Sequence, residues 1–480
     1  MRDVHSDLGT RLVRCVTDGK LLDLAGDEPV DEPAMRSWGA SRTVDAGLIR
    51  EILRGRLASD PDPRGLALRG ARIAGRLDLA NLTTGVLLQL RDCFLPEGIE
   101  AAGASLPGLV LAGCLIEHPV EPPLAGDGLR VAGNIVLTGS VVAAHSEAGA
   151  VRLPGARVGG QLNCRNAKIH NSAGPALDGE SLQVDGHVLL SYGFAAVGAG
   201  EDGAVRLRGA HIAGQLDCTA GTIHNPSGFA LNAYNLRVDQ AVFFWHGFVA
   251  IGATGRGTLR LRDARIGGLL ALEPDGIENP SHPYARMNID GLTYSGIPLG
   301  LSVDGWLALL REGPRTYTAQ PYQQLAAVHR AAGHDREVRR ILMEQRRHQI
   351  SSKALAGPGA RTWARLTGLT LGYGYQPWRA LIGLFAVLMV AVALCLSTGS
   401  ALAHTRNSSS PGTACTTVER VGVGLDLSLP LIKTGARTQC DLTDRPAGQR
   451  LAVSGWGLQL LAWAFATLFV AGFTGVIRKT

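Results

Sequence analysis

Four short phrases set metal-type side chains at a regular spacing: Ile116-Glu117-His118-Pro119, Ile169-His170-Asn171, Ile223-His224-Asn225 and Ile277-Glu278-Asn279-Pro280. Histidine and glutamate in such a series suggest ligands, but ligands of one ion must each lie about 2 Å from it. Successive phrases fall two coils apart in the fold argued below, too far to share an ion. Asparagines stacked at a corner and bonded to backbone are the plainer expectation, and no metal site is expected.

Arginines make a second series. The outward residue before each apolar landmark of the chain is Arg72, Ser105, Arg130, Arg157, Gln183, His211, Arg237, Arg265 and Thr293. Arg130 and Arg157 are expected one coil apart, about 4.8 Å, as are Arg237 and Arg265. Arg152, Arg206 and Arg260 are expected in a parallel row. Like charges stacked in this way repel unless water, acids such as Asp78, Asp185, Asp217 and Asp239, or an anionic partner screens them. The column is therefore either a solvated face with local acid partners or a docking strip for anionic lipid headgroups, a polyanion or an acidic protein. Few aromatic residues interleave with it, so nucleic acid is not an expected partner.

Cysteine spacing separates two environments. Cys164 and Cys218 should face inward two coils from each other, roughly 9.6 Å apart, beyond disulfide reach; buried structural thiols are expected. Cys415 and Cys440 lie in one loop near the C-terminal end, where an oxidising exterior would allow them to pair. Cys15, Cys93, Cys114 and Cys395 have no evident partner, and no CxxC occurs. GxSxG, HExxH, a P-loop and a GxGxxG opening a helix after a strand are all missing from the sequence. No catalytic residue and no cofactor follow from the residues.

The elements that position these groups come from a repeat. Val151-Arg152-Leu153-Pro154-Gly155-Ala156-Arg157-Val158 returns as Val205 to Ile212 and again as Leu259 to Ile266. An earlier copy runs from Leu66 to Ile73. Fixed-period self-similarity marks a stacked, quasi-one-dimensional fold. An apolar residue followed two positions on by glycine divides the unit further, at Ile73, Leu106, Val131, Val158, Val184, Ile212, Ile266 and Tyr294. Val238 fits the series with Gln240 in the glycine place, and the longest step is the first, from Ile73 to Leu106. Within a coil the period is two: Val158, Gly160, Leu162 and Cys164 point one way, and Arg157, Gly159, Gln161 and Asn163 the other. The expected fold is mainly β, a right-handed parallel β-helix over 65–305 with about nine coils of about 27 residues. An N-terminal helical cap over 1–64 precedes it, with Leu8, Leu12 and Val16 on one helix and Leu48, Ile49, Ile52 and Leu53 on another. A helical hairpin follows within 306–352, with Pro321 in its first helix, Gly333 ending that helix and Asp335 capping the next.

Two stretches carry no charge, Ala380 to Ala403 and Leu451 to Ile477, and each is long enough to span a bilayer. They define spans 380–403 and 451–477, a juxtamembrane linker over 353–379 and a loop over 404–450. Met1 to Asp27 is charged throughout, so no export signal is expected there. Nine Lys or Arg between Arg336 and Arg379, against six in the loop, favour both ends inside. The expectation is a multi-pass protein of the plasma membrane with the β-helix cytoplasmic and the 404–450 loop outside. Gly372-Tyr373-Gly374-Tyr375 has the look of a potassium-channel filter, but a filter lies between two spans and this phrase precedes the first. A turn before the span, anchored by Trp378 and Arg379, is the plainer reading. Between the spans, Val421 to Gly424 and the run Leu425 to Ile432 are candidates for a re-entrant or interfacial element.

Leu68-Arg69-Gly70-Ala71-Arg72-Ile73-Ala74-Gly75-Arg76-Leu77-Asp78-Leu79, the Tyr322-to-Arg347 hairpin, Gly374 to Arg379 and Ala471 to Arg478 give the chain its resemblance. Over nearly its whole length it resembles a group of high-GC bacterial membrane proteins often labelled membrane-associated oxidoreductases. The tail is similar, more distantly, to pentapeptide-repeat proteins fused to two-span channel-like modules. The resemblance implies a membrane-bound oxidoreductase or a channel-like protein and brings no site residues. The residues themselves imply a membrane-anchored, non-catalytic scaffold with a basic surface, open to an acidic protein, an anionic lipid or a second copy of the chain.

Overall fold

The computed structural model describes residues 7–273, 276–312, 317–352, 359, 368, 378–404, 414–429 and 434–479. The chain divides into two compact units, Met1–Ile341 and Leu342–Thr480.

The first unit is a parallel β-solenoid of about nine turns with four faces, two of ten strands, one of nine and one of eight. One coil shows how the sequence makes it. Val151–Arg152 lies on face C, Arg157–Val158 on face D, Leu162–Asn163 on face A and Lys168–Asn171 on face B. Leu177 then pairs with Val151 to begin the next coil on face C. Val151, Leu153, Ala156, Val158, Leu162, Cys164, Ala167 and Ile169 all point inward, none more than 1% exposed. A fully buried leucine or valine of this kind contributes roughly 2 kcal/mol. Two of the four corners need a left-handed backbone, supplied by Gly155 at φ 64 and Asn166 at φ 55; glycine and asparagine adopt it at least cost. The period seen in the sequence is a shorter coil followed by a longer one, read off Arg157, Gln183 and His211 in register on face D.

The four-sided coil overturns one expectation. The phrase Leu66 to Ile73 does not occupy the place of its later copies. Leu66–Arg69 is on face A and Arg72–Ala74 on face B, whereas Val151–Arg152 is on face C and Arg157–Val158 on face D. Faces A and C alike carry inward apolar residues and lead into a left-handed corner, Gly70 after Leu66–Arg69 and Gly155 after Val151–Arg152, so a matching phrase does not reveal which pair of faces it sits on. The long first step from Ile73 to Leu106 joins two different faces. The position beside Ser105 on face D belongs to Thr83.

The solenoid also starts earlier than residue 65. Leu21–Asp23 extends face A by pairing with Leu66–Arg69, and Thr43–Asp45 extends face B. Standing outside the sequence repeat, these two strands have no second copy to mark them. Helix α1 (Asp7–Asp18) buries Leu12 and Val16, and helix α3 (Ala46–Leu53), which follows α2 (Glu32–Ser37), buries Leu48, Ile49, Ile52 and Leu53. Asp45 caps α3 by accepting from the N–H groups of Gly47 and Leu48, at 2.8 and 3.3 Å.

At the other end, Val303–Glu312 is a helix that escaped the sequence reading; it buries Trp306, Leu307, Leu309 and Leu310. The hairpin helices follow as Gln320–Ala331 and Asp335–Ser351. Pro321 sits in the first turn and Gly333 takes φ 75. Asp335 is the first helical residue, so it acts on the helix dipole and is not the cap. Gln320 accepts from Gly291 N (3.0 Å) and donates to Leu292 O (2.9 Å), and Gln324 donates to Tyr294 O (2.6 Å). These amides satisfy the open edge of the last coil, which would otherwise recruit further strands.

In the second unit, two helices are long and apolar enough to cross a membrane, Trp378–Ser397 and Pro446–Ala471. The second belongs to a longer helix, Pro446–Lys479. The charge-free stretch 380–403 outlasts its helix: Gly399–Ala401 turns back and Leu402–His404 pairs antiparallel with Cys440–Leu442. A third helix, Thr417–Ser428, packs against both, its start fixed by the reciprocal capping of Thr416 and Glu419. Gly424 lets it approach the first helix closely, since a Cβ there would lie 2.9 Å from Val392 Cα. The segment read as a re-entrant or interfacial candidate is a helix up to Ser428; Pro430 to Ile432 and Gly372 to Tyr375 lie outside the described residues.

Candidate functional site

The corner asparagines bond to backbone. Asn171 donates to Ser146 O (2.7 Å) and Pro175 O (2.8 Å), Asn225 to Gly200 O (2.9 Å) and Phe229 O (2.7 Å), and Asn279 to Thr254 O (2.9 Å) and Ala285 O (2.8 Å). Each therefore fastens the long loop between faces B and C to the loop of the coil before. The neighbouring Glu117, His170, His224 and Glu278 lie on face B in alternate coils, with Ala143, Val197 and Ile251 between them. Among the described residues no three His, Cys, Asp or Glu gather in a metal-holding group.

The face D column holds for all its residues but Arg72. Ser105, Arg130, Arg157, Gln183, His211, Arg237, Arg265 and Thr293 stand in register. Arg130, Arg157, Arg237 and Arg265 are exposed. Asp239 binds Arg237 at 2.8 Å and His211 at 2.9 Å. Those two partners, His211 foremost, hold its carboxyl below the usual range. Arg72 leaves the column: on face B it pairs with Phe94 and lies over the Phe94 ring, 5.1 Å from its centroid.

The row Arg152, Arg206 and Arg260 lies on face C, where Asp178 and Asn232 occupy the coils between. These three arginines have different surroundings. Arg152 is gripped by Asp127, with contacts of 2.6, 2.8 and 2.9 Å, which raise its basicity. Arg206 has Asp178 beside it in register but no ion pair among the described residues, and Arg260 faces the rings of Phe229 and Tyr234 at 5.4 and 4.9 Å. Asp178 is itself buried, and burial raises its carboxyl above the ordinary range.

Asp78 pairs with Arg50, and Asp217 is buried and accepts from Thr219 N at 3.0 Å. Neither belongs to the column. A cleft near the first coils, lined by Leu8, Trp38, Asp45, Leu48 and Arg72, has its carboxylate already committed to capping α3. Cys164 and Cys218 are fully buried, and burial alone pushes the Cys164 thiol up to about 12. Cys93 and Cys114, which sequence spacing left apart, meet in neighbouring coils of the core, where each thiol donates to backbone oxygens. Cys415 and Cys440 form a disulfide, with Cα atoms 6.0 Å apart. Comparison of the chain with protein-family models, with curated proteins and with solved structures finds no match.

Proposed function

We propose that this chain is a membrane-anchored, non-catalytic scaffold whose solenoid presents a basic surface, on the cytoplasmic side, to an anionic partner. The observation that carries the reading is the stacking of Arg130 on Arg157 and of Arg237 on Arg265. Among the described residues, only Arg237 of these four exposed guanidiniums is held by a carboxylate. Such stacking costs repulsion at a spacing of about 4.8 Å, and an acidic protein or an anionic lipid surface would relieve it. The two apolar helices support anchorage in a bilayer, and the surplus of Lys and Arg before the first of them supports the orientation.

Two measurements test the proposal. Impermeant protease should spare the solenoid in intact cells and digest it in inverted vesicles; digestion from outside sinks the orientation. Replacing Arg130, Arg157, Arg237 and Arg265 by Glu should weaken binding of the reconstituted protein to phosphatidylglycerol vesicles by about tenfold or more at low salt. Unchanged binding would remove the strip from the mechanism.

A further inference from the structure

Face C carries a denser group of arginines than the strip on face D. Arg206 and Arg260 flank Asn232 in register, so roughly 9.6 Å of sheet separates their backbones. Two residues on, at the corner, Arg208 and Arg262 flank Tyr234: Gly209 N donates to Tyr234 O (2.9 Å) and Asn235 N to Arg262 O (3.0 Å). Arg256 enters from the loop before Arg260. Arg256 and Arg260 both lie over the ring of Phe229, 5.1 and 5.4 Å from its centroid, and Phe229 is fully buried.

Asp178 adjoins Arg206 in register without an ion pair, and the other carboxylates stand at the margin. Glu180 is 3.7 Å from Arg208, Glu201 3.8 Å from Arg256 and Asp263 3.4 Å from Arg262. Among the described residues Arg206 and Arg260 have no ion pair, and the buried Nε of Arg206 finds no acceptor. Burial, followed by the charges of Arg256, Arg208 and Arg262, makes Arg260 less basic than an ordinary arginine.

The solenoid repeats its own control. Asp127, one residue before Gly128, sits under Arg152; Tyr234, one residue before Asn235, holds the equivalent corner under Arg260. Where an earlier coil closes its arginine with a carboxylate, this one offers an aromatic face and leaves the charge open.

We propose that Arg206, Arg208, Arg256, Arg260, Arg262 and Tyr234 form a binding site for an oligophosphate, an anion with at least two linked or neighbouring phosphoryl groups. The proposal rests on the reading of the solenoid as a binding surface and assigns that surface a place and a ligand chemistry. Guanidinium forks match phosphoryl oxygens in pairs. Two open guanidiniums set two coils apart call for negative charge at more than one point, which a single orthophosphate does not supply.

Calorimetry of the full chain in detergent, with sodium tripolyphosphate as probe, tests the site. Tripolyphosphate should bind saturably and at least about tenfold more tightly than orthophosphate. R206Q/R260Q should weaken it by about tenfold or more, and R11Q/R14Q, two exposed arginines of helix α1, by no more than about twofold. Tyr234→Asp, which restores the carboxylate found under Arg152, should abolish binding with the melting temperature unchanged. Equal loss in R11Q/R14Q, binding retained in Y234D, or no saturable binding to the wild type would overturn the proposal. Vesicles of phosphatidylcholine with phosphatidylinositol 4,5-bisphosphate that displace the probe would assign the phosphates to a lipid headgroup, and vesicles that leave it bound would assign them to a soluble ligand. Protease digestion from outside the cell would refute the scaffold's orientation without touching this result.

Discussion

Leu162 in the solenoid is fully buried, whereas Leu460 in the last helix is 72% exposed. The contrast holds for whole elements. The four faces turn nearly every large aliphatic side chain into one core, while Leu381, Ile382, Phe385 and Met389 on one apolar helix, and Trp456, Leu461 and Trp463 on the other, point outward. The solenoid finds its apolar medium inside itself. The two helices have the length and composition to find theirs in lipid, and so much exposed apolar surface is otherwise rare in a folded protein. One amino-acid type thus does opposite work in the two units.

The largest expected effect sets the two leucines against each other. Leu162→Ala should destabilise the solenoid by about 3 kcal/mol, whereas Leu460→Ala should change the stability of the tail by less than about 0.5 kcal/mol. Denaturant midpoints in detergent, read by solenoid and tail probes separately, check this. Similar losses at both sites would break the comparison.

The thiols sharpen it. Cys415→Ser with Cys440→Ser should cost the second unit about 3 kcal/mol, seen as faster proteolysis of the segment between the apolar helices. A reducing agent should leave solenoid proteolysis unchanged, because its cysteines are free and its core ones buried. Smaller again is Asn225→Ala, which strands the carbonyl of Gly200, leaves that of Phe229 with Ala204 N alone, and should cost about 2 kcal/mol. Hydrogen exchange should then rise in the loops at 198–204 and 225–230 and not in the tail.

The smallest effect is a pH dependence confined to the solenoid. Burial, and then the charge of Arg76, holds the His118 imidazole below its usual range, and its Nδ1 accepts from the N–H groups of Val120 and Glu121 at 3.2 and 2.7 Å. The unfolded chain therefore binds the proton more readily than the folded one. The contribution is present above about pH 6.5, the unfolded value, and is lost as pH falls through the depressed folded value. His118→Gln should flatten that part of the stability profile, while an unchanged slope would assign it elsewhere.

Much of this was legible in residues. The alternation through Val158, Leu162 and Cys164 gave the strands, and the charge-free stretches gave the two apolar helices. Pro321 and Gly333 marked a helix start and end, and Cys415 was matched to Cys440. Other features were not legible. Leu21–Asp23 and Thr43–Asp45 stand outside the sequence repeat and join the solenoid only through their partners. Arg152 and Arg260 look alike in the repeat, yet Asp127 closes one with a carboxylate and Tyr234 leaves the other without an ion pair, over an aromatic face.

By itself the sequence determined the coil: inward apolar residues at alternate positions, and a residue tolerant of positive φ at the corners after faces A and C, are local requirements, satisfied within a short stretch of chain. Tertiary structure decided which face each coil segment occupies, and so whether Arg72 belongs with Arg130 or over Phe94. The physical reason is that the segment over faces A and B obeys the same local rule as the segment over faces C and D. Their identity comes only from summed loop lengths and from pairing with the neighbouring coil, a full turn away along the chain.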